Sequence, residues 1–227
     1  MARPKGRTAR GEQTADRLYE AAIQRISADG YDKATLRQIA ADAEVSPGLL
    51  YKYFPSKQAV VMTLYARASA SFAEQGRGLS DGSWPERVIA ATRLSLQTLA
   101  PHRDTLSAVL PALLGDSEGG LLSPQSAPAR RDVTGVFVSA VTESSRPPRV
   151  AEAMGRVAYL LQLGVILWWL LDRTAEQRAT DGLLALLSRM LPLLALALRV
   201  PGAGGFITEL DRLASEGLYG ESLSAGD

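Results

Sequence analysis

The sequence has no cysteine and only one histidine among its 227 residues. The first absence excludes disulfides and thiolate metal sites, and it fits a reducing compartment such as the cytoplasm. The second removes the commonest catalytic base, because His102 stands alone beside Pro101 without partners at metal-ligand or triad spacing. A phosphate-binding glycine loop and a nucleophile elbow are also lacking. Gly202-Ala203-Gly204-Gly205 follows no strand and reads as a helix stop. The sequence thus supports no catalytic residue, no metal ligand and no cofactor, and we read it as a non-enzyme.

Long apolar runs are scarce as well. The opening MARPKGRTAR is followed by no apolar core, so it does not read as a signal peptide. The longest apolar run, Tyr159 to Leu171, spans 13 residues, whereas a bilayer crossing needs about 20. A later leucine-rich stretch is interrupted by Arg189 and Pro192. No membrane insertion is expected, and the expected location is cytoplasmic.

What is present is ordinary for a globular chain: 46% hydrophobic and 22% charged residues. The net charge of +1 conceals an asymmetry. Residues 1–58 hold ten Lys/Arg against seven Asp/Glu, including all four lysines, and the remainder holds fifteen arginines against seventeen acids. A basic N-terminal part beside a mildly acidic body points to an anionic partner for the former.

Residues 1–11 are basic and aperiodic and read as a flexible arm, either a groove-reaching segment or a solubilising tail. From Thr14 to Asp29, Leu18, Ala22 and Ile26 form the apolar stripe of a helix, closed by Gly30. Thr35 and Gln38 have capping-box spacing for a second helix ending near Ala43. Ser46-Pro47 then opens a third, with an N-cap followed by proline at the first helical position. Only Glu44 and Val45 lie between them, so the two short helices must cross steeply as a helix-turn-helix.

Leu50 and Phe54 face the core of this small domain. Pro47, Gly48, Leu49, Tyr51, Lys52 and Tyr53 are left largely outward, an exposed surface that calls for a covering partner. The tyrosines could instead be core residues with surface hydroxyls. Ser56 caps a fourth helix, and Lys57 lies in its first turn, where the helix dipole already is positive. A lysine there reads either as a phosphate site or as a solvated side chain.

Thr35 to Lys57, TLRQIAADAEVSPGLLYKYFPSK, resembles the DNA-binding motif of the TetR family of bacterial transcriptional regulators, T-x-R-x-I-A-x-x-A-x-V-S-x-G-x-L-Y-x-Y-F-x-S-K. The likeness spans roughly residues 14 to 65. It implies DNA contacts by Thr35, Arg37, Pro47, Gly48, Leu49, Tyr51, Lys52, Tyr53 and Lys57. Glu44 occupies the turn position that is often glycine, so a left-handed backbone there would strain it.

The fold expected is all-α: an N-terminal three-helix helix-turn-helix domain over residues 12–58 and a larger helical ligand-binding and dimerisation domain over 59–220. Residues 221–227 form a frayed tail. In the larger part, helices are expected over 83–99, 104–114 with Pro111 inside, 129–144, 149–172, 175–199 and 206–219. The pair at about 149–172 and 175–199 is apolar on more than one face, which needs burial on more than one side. That burial could lie within one chain. The resemblance implies instead an intersubunit four-helix bundle and a homodimer.

The resemblance further implies a palindromic double-stranded operator and a small effector whose pocket could involve Tyr65, Leu96, Leu99, Leu110, Phe137, Tyr159 and Trp168. Plain core packing explains those positions equally well. Their few charges suggest an apolar effector. The expected role is a sequence-specific, ligand-responsive repressor. The alternative is a ligand-binding or protein-interaction module that no longer reads DNA.

Overall fold

A computed structural model describes residues 9–115 and 120–220. Residues 1–8 of the arm expected over 1–11, the loop positions 116–119 and the tail 221–227 lie outside the described residues, whereas residues 9–11 of that arm are helical, in the first turn of α1. The described chain contains ten α-helices and no strand, in agreement with the all-α expectation. They are α1 (Ala9–Asp29), α2 (Leu36–Asp42), α3 (Pro47–Tyr53), α4 (Lys57–Gly76), α5 (Trp84–Leu99), α6 (Arg103–Gly115), α7 (Ala127–Thr142), α8 (Ala151–Leu171), α9 (Arg178–Ala197) and α10 (Ala203–Tyr219).

The chain divides into two compact units, Met1–Tyr65 with His102–Gly115, and Ala66–Pro101 with Asp116–Asp227. In the first unit α1 begins at Ala9, earlier than its apolar stripe. Thr14 therefore is an interior residue that donates its hydroxyl to the Arg10 carbonyl at 2.8 Å. Leu18, Ala22 and Ile26 of α1 are fully buried with Ile39, Leu50, Val60 and Leu64. From α6, Val109 joins the same core, which brings in a helix distant in sequence.

The capping box forms as its spacing requires: the Thr35 N–H donates to Gln38 Oε1 at 2.9 Å, and the Gln38 N–H donates to Thr35 Oγ1 at 3.3 Å. Gly30 takes the left-handed conformation, φ +84°, that ends α1. A second tie between α1 and α2 is a fork from Arg25 to Asp42, at 2.7 and 2.6 Å, with a third bond to Asp29 at 3.0 Å. These bonds raise the Arg25 pKa above its ordinary value and hold the Asp42 carboxyl below its own.

The second unit has its core where Phe72, Val88, Val136, Phe137, Val141, Met154 and Tyr159 meet. The Phe72 and Phe137 rings lie 5.9 Å apart. Close approach of α7 and α8 depends on Gly155, where an added Cβ would lie 2.5 Å from Val138 Cα. Arg87 is buried and donates from Nε to the Ala140 carbonyl at 3.1 Å. With a further donation to the Ser139 carbonyl at 3.4 Å it satisfies carbonyls near the end of α7, and another of its N–H groups ties in the Ser80 carbonyl before α5 at 3.1 Å. α10 is fastened to α8 by Arg156, whose guanidinium grips the buried Asp211 carboxylate with three contacts of 2.8 to 3.0 Å.

Taken by length and composition alone, α8 and the stretch Ala175–Ala197 could cross a membrane, so whole helices pass a test that the uninterrupted apolar run does not. α8 nevertheless buries Met154, Ala158, Tyr159, Val165 and Trp169 against other helices of its unit and carries Arg156, paired with Asp211. That is the pattern of a helix packed in protein. Its other side, and that of α9, are apolar and exposed: Leu167, Trp168 and Leu171, then Leu186, Met190, Leu193 and Leu196.

Candidate nucleic-acid interface

The surface offered by α2, α3 and the start of α4 is built by local capping. Ser46 Oγ accepts from the Leu49 N–H at 3.2 Å, and Ser56 Oγ accepts from the Ala59 N–H at 3.1 Å. With Leu50 and Phe54 buried beneath α3, its register is set. Thr35, Arg37, Pro47, Gly48, Tyr51 and Lys52 are then exposed, and Leu49 is half-buried. Nothing lies within 4 Å of the position a Cβ would take at Gly48, so a partner could approach the α3 backbone there.

Tyr53 differs from its expected outward position. It is half-buried and packs against the core of the first unit, because seven helical residues anchored by Leu50 turn it toward α3's inner flank. Tyr51 is 48% exposed and remains on the outer face.

Lys57 is half-buried and takes on a structural contact that sequence reasoning missed. Its ammonium donates to the Tyr31 carbonyl and, at 3.2 Å, to that of Asp32, and it lies 4.6 Å from the centroid of the Tyr31 ring. The carbonyls of the turn after α1 thus stabilise a cation placed against the dipole of α4. An ammonium has three N–H donors, so this arrangement leaves one for an anion.

Glu44 has φ +53°, the left-handed backbone that its position at the turn implied, and its side chain is exposed. The turn is closed by Val45 N–H donating to the Ala40 carbonyl at 2.9 Å. Of the acids near this surface, Asp42 is paired with Arg25. Around α2 and α3, Lys33, Arg37 and Lys52 are exposed cations.

The seven residues considered for an effector pocket fall in both units, and the five in the second unit have different surroundings. Tyr65 and Leu110 belong to the first unit and are half-buried. In the second unit, Phe137 and Tyr159 are core residues, and Trp168 is 49% exposed. Leu96 borders a cleft of about 210 Å³ with Trp169, Thr180 and Leu184, and Leu99 is half-buried on the same helix, α5. Trp168 lies instead along an apolar groove of about 410 Å³ with Gly164, Leu167 and Leu171.

Residues 18–62 match the family described as bacterial regulatory proteins, tetR family. The repressor KstR of Rhodococcus jostii, an HTH-type transcriptional repressor, is 29% identical over 170 residues, 73% of this chain and 75% of that protein. An HTH-type transcriptional repressor of Streptomyces coeruleorubidus is 32% identical over 90 residues, 40% of this chain and 32% of that one.

Among solved structures, a tetR-family regulator of Streptomyces coelicolor superposes with a TM-score of 0.62 at 21% identity, covering 88% of both chains. FadR of Bacillus subtilis, solved in complex with stearoyl-CoA, gives 0.57 at 20% identity over 76% of this chain and 97% of that one. These two likenesses show the fold. Together with them, the capped helix-turn-helix and the match over residues 18–62 identify the N-terminal segment as that of the tetR family of bacterial regulatory proteins.

Proposed function

We propose that this regulator is a cytoplasmic, ligand-responsive repressor that binds a palindromic operator as a homodimer. The observation that carries the operator reading is the exposed face held out by the Thr35 and Ser46 caps. Tyr51, Tyr53, Thr35 and Lys57 would hold phosphates, while Arg37, Gly48, Leu49 and Lys52 would meet base edges or thymine methyls. One α3 per subunit would enter each of two successive major grooves.

The homodimer reading rests on apolar side chains that the single chain leaves bare. On α9, Leu186, Met190, Leu193 and Ala197 recur at alternating spacings of four and three, all exposed. On α8, Gly164, Trp168 and Leu171 do the same. Two such helices from each of two copies would bury both stripes as a four-helix bundle, the arrangement expected for 149–172 and 175–199. The effector reading draws support from FadR, whose structure was solved with stearoyl-CoA. An effector that releases DNA must favour the conformation that does not fit the operator.

Selection of bound duplexes from a random-sequence pool, followed by footprinting, tests the proposal. A protected palindrome supports it. Salt-sensitive binding without sequence preference would favour a ligand-binding or interaction module.

A further inference from the structure

Within the second unit, Gln162 of α8 is only 3% exposed and shares a helix face with the buried Ala158, Val165 and Trp169. Its Nε2 donates to Ser95 Oγ of α5 at 2.7 Å, and Ser95 is likewise 3% exposed. Its Oε1 has no hydrogen-bond partner. Turning the carboxamide over only exchanges the ends: Oε1 would then accept from Ser95 and the NH₂ group would be bare.

A buried polar atom without a partner opposes folding, and an apolar side chain of the same volume would pack as well without that cost. Ser95 does not need the amide either. A helical hydroxyl can donate to the carbonyl four residues back, as Thr92 and Thr98 do on the same helix at 2.8 and 2.9 Å. The pair therefore makes poor sense as packing and good sense as half of a recognition site. Two turns along α8 from Gln162, Trp169 borders the cleft of about 210 Å³, whose α5 wall includes Leu96, the neighbour of Ser95. Trp169 donates from Nε1 to Oε1 of Gln177, which borders the same cleft.

We propose that Gln162 and Ser95 are the hydrogen-bonding point of the effector site, and that the effector is a largely apolar molecule carrying a neutral hydroxyl. A hydroxyl donates and accepts, so it completes the amide in either orientation. A carboxylate would bring a buried negative charge to two neutral groups, and a plain hydrocarbon would leave the amide bare. The inference rests on the ligand-responsive reading above and adds the class of molecule and the residues that select it.

Decanol, decane and decanoate, titrated into the full chain and followed by tryptophan emission, test the assignment, since Trp169 borders the cleft. Wild type is expected to bind decanol about tenfold more tightly than the other two, the factor that one hydrogen bond supplies. Gln162→Met keeps the volume without the hydrogen bonds and is expected to erase the preference while melting no lower than wild type. Ser95→Ala is expected to reduce it.

Equal affinities in wild type, or a preference for decanoate, overturn the hydroxyl assignment and leave ligand responsiveness standing. A Gln162→Met variant that melts lower and keeps the decanol preference shows a packing role and also overturns it. No binding of any of the three overturns it too, while operator release in a wider compound screen tests the effector reading separately.

Discussion

The ammonium of Lys57 donates to the carbonyl of Tyr31 and sits over the same residue's ring, 4.6 Å from its centroid. One side chain thereby joins the start of α4 to the turn that precedes α2, and holds a cation at the edge of the proposed DNA face. Lys57→Ala is expected to cost about 1 to 2 kcal/mol of stability through the lost charged hydrogen bonds and ring contact. It is also expected to weaken binding to all duplexes and make the salt dependence shallower by about one unit of slope. Denaturant unfolding and anisotropy titrations at several salt concentrations separate the effects. A lower stability with an unchanged salt slope would make Lys57 a turn clamp alone.

Glu44 offers the reverse case, a residue whose replacement should help. Its φ of +53° is costly for a side chain and natural for glycine. Glu44→Gly is expected to stabilise the chain by about 0.5 to 1 kcal/mol and, by removing an exposed acid, to tighten binding to DNA of any sequence. A loss of stability on thermal or chemical unfolding would show that the glutamate side chain makes a compensating contact.

Asp172 governs the junction of α8 and α9. Its carboxylate accepts from the hydroxyls and backbone N–H groups of Thr174 and Thr180 at 2.7 to 2.9 Å, which holds its pKa well below the usual carboxylate range. A depressed folded pKa gives stability that is present above the unfolded value of about 3.9 and is lost as pH falls through the folded one. Asp172→Ala is therefore expected to lower the melting temperature at neutral pH and to flatten its decline below about pH 4. Thermal melts of both forms across acid pH check this; parallel curves would remove Asp172 as a contributor.

The exposed stripe on α9 predicts self-association. Leu193 is 67% exposed in the single chain and lies at the middle of that stripe. If the proposed homodimer forms through this stripe, Leu193→Asp is expected to give a monomer in analytical ultracentrifugation where wild type sediments as a dimer, while retaining helical circular dichroism, because a charge would be buried without a partner. A variant that sediments as wild type would place the interface elsewhere.

Features carried by neighbours in sequence were legible before any coordinates. The Thr35–Gln38 box and the Ser46-Pro47 start lie within one helical turn and form as their spacing dictates. The burial of Leu50 and Phe54 under α3 was readable for the same reason. What could not be read joins distant segments. Arg25 reaches Asp42, Lys57 reaches Tyr31, Arg156 reaches Asp211 and Gln162 reaches Ser95. The half-burial of Tyr53 belongs to the same group, since it is decided by the core on which α3 rests. Apolar positions at helical spacing likewise could not separate pocket from core, as Phe137, Tyr159 and Trp168 show by their different surroundings.

The most direct measurement is a footprint on duplexes selected from a random pool, made with wild type and with Arg37→Ala and Lys52→Ala. A protected palindrome with half-sites about one helical turn apart is expected, with relaxed sequence preference in both variants. Protection without sequence preference, equal in all three proteins and abolished by moderate salt, would contradict an operator-reading role for this face.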